Sequence, residues 1–388
     1  MSASSDTALH PALRVAVVGS GERAGDLARA FLVGTDWYLA ALCDPDRARA
    51  EALAAETGRP AVAGSLEELL DGHEIDAVAI TTPAHTHEDL VRRALAAGKH
   101  VLVDDPLADR ASTGAGLVAA AESAGAVLMA AHAECYTPAA VTIRDLIAHG
   151  ELGEILYVDS VRINLGFDQT APNVFWDLAP YDLSVLDFIL PGGLDPQFVA
   201  AQGADPLRSG KACVGYLSLP LANGAMAHLH VNWLSPTKVQ QMVIGGSRKT
   251  LVWDDLNPQQ RLSIVDTRTD APGRPAGLDA AGQGAAGQGT ATSYRLENAW
   301  TPALAEPNPF GQMATAFAAA IRGTEPAPTD GRAALRVLSV LESAAQSLDH
   351  GGGRTMIPDP WSGVQDAAPG PSGPAADDDQ ETGREGRP

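Results

Sequence analysis

The stretch "LRVAVVGSGERAGDLARA", residues 13–30, joins an apolar run to a helical segment through a glycine turn. Leu13 to Val18 are almost continuously apolar, as expected of a strand buried on both faces. Gly19, Gly21 and Ala24 then give the spacing G-x-G-x-x-G/A. Gly19 permits the tight turn, and Gly21 lets backbone approach a pyrophosphate. The amides of Glu22 and Arg23 point at that anion from the helix N-terminus. A glycine pattern alone can also serve packing. Here a second element accompanies it: "WYLAALCD", residues 37–44, reads as the next strand and ends in Asp44, 23 residues after Gly21. A carboxylate there accepts bonds from an adenosine ribose and repels a 2′-phosphate, which favours NAD. Arg47 nearby leaves NADP open.

Working outward, the alternation of strand and helix continues. Ser65 and Glu68 form a capping box, strands are expected at 76–81, 100–103 and 127–131, and helices at 87–97 and 110–124. This rhythm predicts an N-terminal doubly wound parallel sheet of Rossmann type over residues 13–133. After about residue 135 the pattern changes. A helix at 136–149 leads into alternating stretches at 153–165, 212–219, 225–234, 239–246, 249–254 and 261–267. They predict a C-terminal α/β domain, residues 134–357, with a large open and mostly antiparallel sheet. "VFWDLAPYDLSVLDFIL" supplies a helix between its first two strands, and two helices close the chain, with Met313, Phe317 and Ile321 on one face of the first. Residues 1–12 are expected to be flexible, 271–293 to form a low-complexity loop, and 358–388 to be a disordered acidic tail.

The whole chain has 388 residues and a formal net charge of -21, with seven acids and two bases in 358–388. Such a surface repels phosphate backbones, so no nucleic-acid partner is expected. Three scattered cysteines show no zinc spacing, no metal site is expected, and they fit a reducing, cytoplasmic compartment. No signal peptide or membrane span is apparent.

"ITTPAHTHEDLVRRALAAGKHVLVDDPLA", residues 80–108, resembles the Gfo/Idh/MocA oxidoreductases, which carry a "TP...H" turn followed by "AL.AGKHV...EKPLA". The likeness continues through "GELGEILYVDSVRINLG", "NVFWDLAPYDLSVLDFIL", "VNWLSPTKV", "LVWDDLNP" and "TDGRAALRVLSVLESAAQSL", so it covers roughly residues 13–357. The later stretches are most similar to a branch that acts on sugars, including nucleotide-linked ones. The resemblance implies an NAD(P)-dependent oxidoreductase acting on a sugar-like or cyclitol-like hydroxyl or carbonyl, assembled as a homodimer or homotetramer. Thr82, Pro83 and His87 are expected to flank the cofactor by the same resemblance. A helix-start histidine with solvent access is the competing reading of His87.

Two departures fall at the family's catalytic positions. Its E-K-P turn becomes Asp104, Asp105 and Pro106, so the lysine is replaced by a carboxylate. Asp105 can act as a general base if its pKa is raised, or bind a substrate ammonium, which adds amine-bearing substrates to the expected class. Asp104 beside it borders the cofactor. The family's D-x-x-x-H pair becomes Asp177 and Tyr181, one helical turn apart on one face. A tyrosine stands at this place in the dihydrodiol-dehydrogenase and glucose–fructose branches, and here it would be the acid/base, with Asp177 orienting it. Lys238 is a candidate to supply the missing cation; Arg162, Asn164 and Asn173 are polar candidates on the substrate side. Two other readings stay open: a non-redox enzyme (elimination, cyclisation or isomerisation) with Asp105 as base, and an inactive dinucleotide-binding protein.

Overall fold

The computed structural model describes residues 11–166, 171–266, 297–305 and 308–362. The first half runs β1 (Leu13–Val18), α1 (Glu22–Ala30), β2 (Trp37–Cys43), α2 (Arg47–Glu56), β3 (Ala61–Ala63), α3 (Leu66–Gly72), β4 (Ala77–Ile80), α4 (His87–Ala96), β5 (His100–Val103), α5 (Ala111–Ala124) and β6 (Leu128–Ala130). Its six strands are all parallel, in the order β3-β2-β1-β4-β5-β6. The order reverses between β1 and β4, which opens a crevice at the carboxyl ends of these strands. Val15, Val17, Val78 and Leu102 are fully buried, as strands covered by helices on both faces require.

The second half begins with α6 (Pro138–Ala148), β7 (Ile155–Leu165), α7 (Val174–Ile189) and β8 (Phe198–Ala204). It continues through β9 (Val214–Pro220), β10 (Met226–Asn232), β11 (Leu234–Gly246), β12 (Lys249–Asp254), β13 (Leu262–Asp266) and β14 (Glu297–Trp300). α8 (Pro309–Ile321), α9 (Gly331–Asp349) and β15 (Thr355–Met356) close the described chain. The nine strands lie in the order β14-β13-β12-β11-β7-β10-β9-β8-β15, antiparallel except where β10 runs parallel to β7. The expected open, mostly antiparallel sheet is therefore present. The stretches expected at 225–234 and 239–246 meet in the chain, because β11 runs from Leu234 with an irregularity before Val239.

α7 crosses the inner face of this sheet. Asn173 caps it, its Oδ1 accepting from the amides of Phe175 and Trp176 at 3.0 and 3.4 Å. α9 packs against both α5 and α7, while α8 meets the first half through Trp37, whose Nε1 donates to the Ala314 carbonyl at 2.7 Å. Trp37 also stacks on Phe317, with ring centroids 5.3 Å apart. The closing helices thus serve both halves and fix the angle at which α7 faces the crevice.

Residues 267–296, which contain the expected low-complexity loop, lie outside the described residues, as do 1–10 and 363–388. The start of the expected tail behaves otherwise: Trp361 is half-buried against the first-half core, with the Arg332 guanidinium 4.7 Å from its ring centroid. Among the described residues no helix is long and apolar enough to cross a membrane.

Candidate active site

A cleft of about 600 Å³ opens where the carboxyl ends of β4 and β5 face α7. Arg23 of α1 lines it, and the dinucleotide turn leads into it. Gly19 has φ +111°, and a Cβ there would lie 2.4 Å from Thr81 Oγ1, so the turn admits only glycine. A Cβ on Gly21 would meet nothing within 4 Å, leaving the approach to α1 open. No side chain caps α1, so the amides of its first turn are free of an internal acceptor. Asp44 holds Ser20 Oγ at 2.5 Å and the Asp46 amide at 2.8 Å, which orients its carboxylate beside the turn. These features fit an NAD-type cofactor: an anion at α1 and a ribose at Asp44.

Thr82 and Pro83 line the cleft, and His85 lines it with them. His87 does not. It is fully buried, with Nδ1 2.9 Å from the Pro106 carbonyl and Nε2 2.6 Å from that of Thr82. Burial holds its pKa below the ordinary histidine value. It ties the β4 loop to the turn after β5 from beneath, so the residue expected to flank the cofactor does not line the cleft. The competing reading of solvent access fails too, because the helix start is covered by that turn.

The two acids after β5 both line the cleft, and each is anchored to a different element. Asp104 Oδ1 lies 3.4 Å from Arg23 Nε on α1, and burial pushes its pKa up to about 6, against the pull of Arg23. Asp105 Oδ1 lies 2.8 Å from Nε2 of His132, which is buried just beyond β6. Burial disfavours the charged imidazole, but the Asp105 charge and hydrogen bond outweigh it and raise the His132 pKa. Glu134, in the short turn Ala133–Tyr136, also faces the cleft; burial raises its pKa.

On the opposite wall stand Asp177 and Tyr181. Asp177 Oδ2 accepts from Trp233 Nε1 at 2.6 Å, which fixes the carboxylate against the sheet. The Tyr181 hydroxyl accepts from Arg23 Nη2 at 3.3 Å, and the Arg162 guanidinium carbon lies 5.0 Å from its ring centroid. Burial raises the phenol pKa, with Arg23 working against that rise. Arg162 is itself held by Asp182 at 3.0 Å. The cleft therefore brings together Arg23, Thr82, Pro83, Asp104, Asp105, Asp177 and Tyr181. Gly19, Gly21, Glu22 and Asp44 lie outside its lining on the cofactor side, His87 lies beneath it, and Arg162, Asn164, Asn173 and Lys238 do not line it.

The cation beside Tyr181 comes from α1 and not from Lys238, which borders a separate shallow pocket with Asp254 and Asn257. Lys99 is structural, its Nζ donating to the Ile75 carbonyl at 2.9 Å. Asn173 is a helix cap, and Asn164 Oδ1 is buried with no partner among the described residues. Three participants went unread in the sequence: the Arg23 side chain, His132 and Glu134. The last two follow β6 at its carboxyl end, where ligands of parallel sheets gather, and that position was the available signal.

Comparison with known proteins agrees with this geometry. A family profile described as "Oxidoreductase family, NAD-binding Rossmann fold" matches residues 13–132, and one described as "GFO/IDH/MocA C-terminal domain" matches 140–252. An uncharacterized oxidoreductase, YdgJ, of Escherichia coli K12 is 26% identical over 359 residues, 87% of this chain and 97% of that protein. The dTDP-3,4-didehydro-2,6-dideoxy-alpha-D-glucose 3-reductase of Streptomyces antibioticus is 37% identical over 148 residues, which cover 37% of this chain and 44% of the reductase. Among solved structures, UDP-N-acetylglucosamine 3-dehydrogenase GnnA from Acidithiobacillus ferrooxidans superposes with a TM-score of 0.73 at 24% identity, covering 87% of this chain and 98% of that one. That last likeness is one of fold.

Proposed function

This chain belongs to the Gfo/Idh/MocA oxidoreductases, and we propose that it acts with NAD on a hydroxyl or carbonyl of a sugar-like or cyclitol-like molecule, which can bear an amine. The observation that carries the reading is the meeting of Tyr181 and Arg23 in the cleft that the dinucleotide turn opens into. When bound, the nicotinamide supplies or accepts the hydride. The chain's residues do the rest. Gly19, Gly21 and the amides of Glu22 and Arg23 seat the pyrophosphate, Asp44 takes the ribose, and Thr82, Pro83 and Asp104 border the cofactor's far end. Tyr181 exchanges a proton with the substrate oxygen, Asp177 orients the substrate beside it, and Arg23 polarises the phenol. The sugar-nucleotide reductase among the relatives supports the substrate class. Exposed Tyr157, Tyr216 and Met226 on the open face of the second sheet support a homodimer or homotetramer built on that face.

A second reading makes Asp105 the base of a non-redox reaction, favoured by its place in the cleft with His132 behind it. The test follows substrate loss and reduced-cofactor absorbance together across a panel of sugars and cyclitols. Coupled changes are expected, with Tyr181→Phe lowering kcat by about 10²–10⁴-fold while cofactor Kd holds. Substrate loss with no cofactor signal selects the Asp105 reading. A Tyr181→Phe enzyme as fast as the parent removes the phenol from the mechanism.

A further inference from the structure

The cleft is lined mainly by acids, among them Asp104, Asp105, Glu134 and Asp177, and that charge bears on which form of the cofactor it holds. A dinucleotide held at Asp44 would cross β1 toward the ends of β4 and β5, where the strand order reverses. Asp104, Asp105 and Glu134 would then border its nicotinamide end. The nearby cations are already engaged: Arg23 with Asp104 and Tyr181, His132 with Asp105, and Arg162 with Asp182. Glu134 is different. It is half-buried in the cleft wall, and among the described residues its carboxylate has no hydrogen bond or close ion pair from another side chain. The charges of Arg162, Arg23 and His132 act on it only from beyond ion-pair distance. A carboxylate aimed into such a space is stabilised by a positive charge placed there.

We propose that this acidic end prefers the oxidised, positively charged nicotinamide over the reduced, neutral ring, so that hydride on the substrate is favoured while cofactor and substrate are both bound. The proposal rests on the cleft being the dinucleotide site. A site that holds the oxidised form more tightly shifts the bound equilibrium toward hydride on the substrate. Tyr181 suits the same direction, since its buried phenol stays protonated and is a donor. In the balanced step, hydride from the reduced cofactor reaches the carbonyl carbon and two electrons leave the cofactor. The Tyr181 proton goes to the carbonyl oxygen, giving CH–OH, and the tyrosinate beside Arg23 recovers a proton from water.

The test needs no substrate. Calorimetric titration of the full chain with NAD⁺ and with NADH, at about pH 7.5, is expected to give NAD⁺ about tenfold tighter binding, a difference of ~1.4 kcal/mol. Glu134→Gln should weaken NAD⁺ about three- to tenfold and move NADH less than twofold, while Glu134→Asp keeps the preference. Equal binding of the two forms by the parent chain, or tighter NADH, overturns the proposal. So does a Glu134→Gln chain that loses both forms equally. If neither form binds the parent chain, the dinucleotide reading itself falls, which is a different result from equal binding.

Discussion

Replacing Asp105 by Asn removes one charge and almost nothing else, so it isolates what the acid turn contributes. The side chain keeps its shape and an oxygen to accept from His132 Nε2, now 2.8 Å away. What disappears is the anion that keeps a buried imidazole charged. Breaking a fully buried ion pair costs about 3–5 kcal/mol. Here His132 is 2% exposed but the Asp105 side chain is 23% exposed, and solvent screens that end. A loss of about 1–3 kcal/mol is the discounted expectation. The pH dependence follows from the direction of the His132 shift. Its folded pKa is raised, so the stability it contributes is fully present below the unfolded value near ~6.5 and is lost as pH climbs through the folded pKa. The gap between parent and Asp105→Asn should therefore be widest at about pH 5.5 and should shrink by about pH 9. Urea unfolding at both pH values measures it. An equal gap at the two pH values would show that His132 is neutral in the folded protein and that the pair is an ordinary hydrogen bond.

Two further outcomes concern the cofactor side. Gly19→Ala places a methyl 2.4 Å from Thr81 Oγ1 at φ +111°, so thermal melts should show a loss of at least about 1–3 kcal/mol and calorimetry should show no cofactor binding. Asp44→Ala should narrow the preference for NAD over NADP by about tenfold in paired titrations, because the carboxylate fixed by Ser20 and the Asp46 amide is then gone.

Local pattern carried the first half of the fold. β1, β2, β4 and β5 are short apolar runs ended by turn residues, and the glycine spacing fixed what joins β1 to α1. Four strands escaped, β3, β8, β14 and β15, the first two for different reasons. β3 has three residues, too few for any period to register. β8 contains Gly203 and three alanines, a weak strand by composition; it exists because β9 pairs with it and the Ser347 hydroxyl of α9 accepts from the Ala201 amide at 2.9 Å. The parallel pairing of β10 with β7 had no local signature at all. The site divides in the same way. Asp177 and Tyr181 were legible through the resemblance, whose D-x-x-x-H pattern falls there, with helical spacing placing both on one face. The contact between Arg23 and Tyr181 spans 158 positions, and that between Asp105 and His132 spans 27, so only the fold could disclose them.

Those long-range contacts also answer what two adjacent acids do on a cofactor's doorstep. An uncompensated pair of carboxylates at the floor of a cleft is costly, and one of them would take up a proton. The fold instead gives each its own counter-charge from a different direction, Arg23 from α1 and His132 from beyond β6. The turn is thereby pinned on both sides, which an ordinary solvated turn is not. The cation that touches Tyr181 comes from α1, where the Arg23 side chain meets the phenol and its amide belongs to the open helix N-terminus. On the proposed function, one residue would border both the anion of the cofactor and the phenol that handles the proton. Docking of the cofactor and polarisation of Tyr181 would then be coupled through Arg23, so a change at position 23 is expected to disturb both together, whereas a change at Tyr181 is expected to disturb only the second.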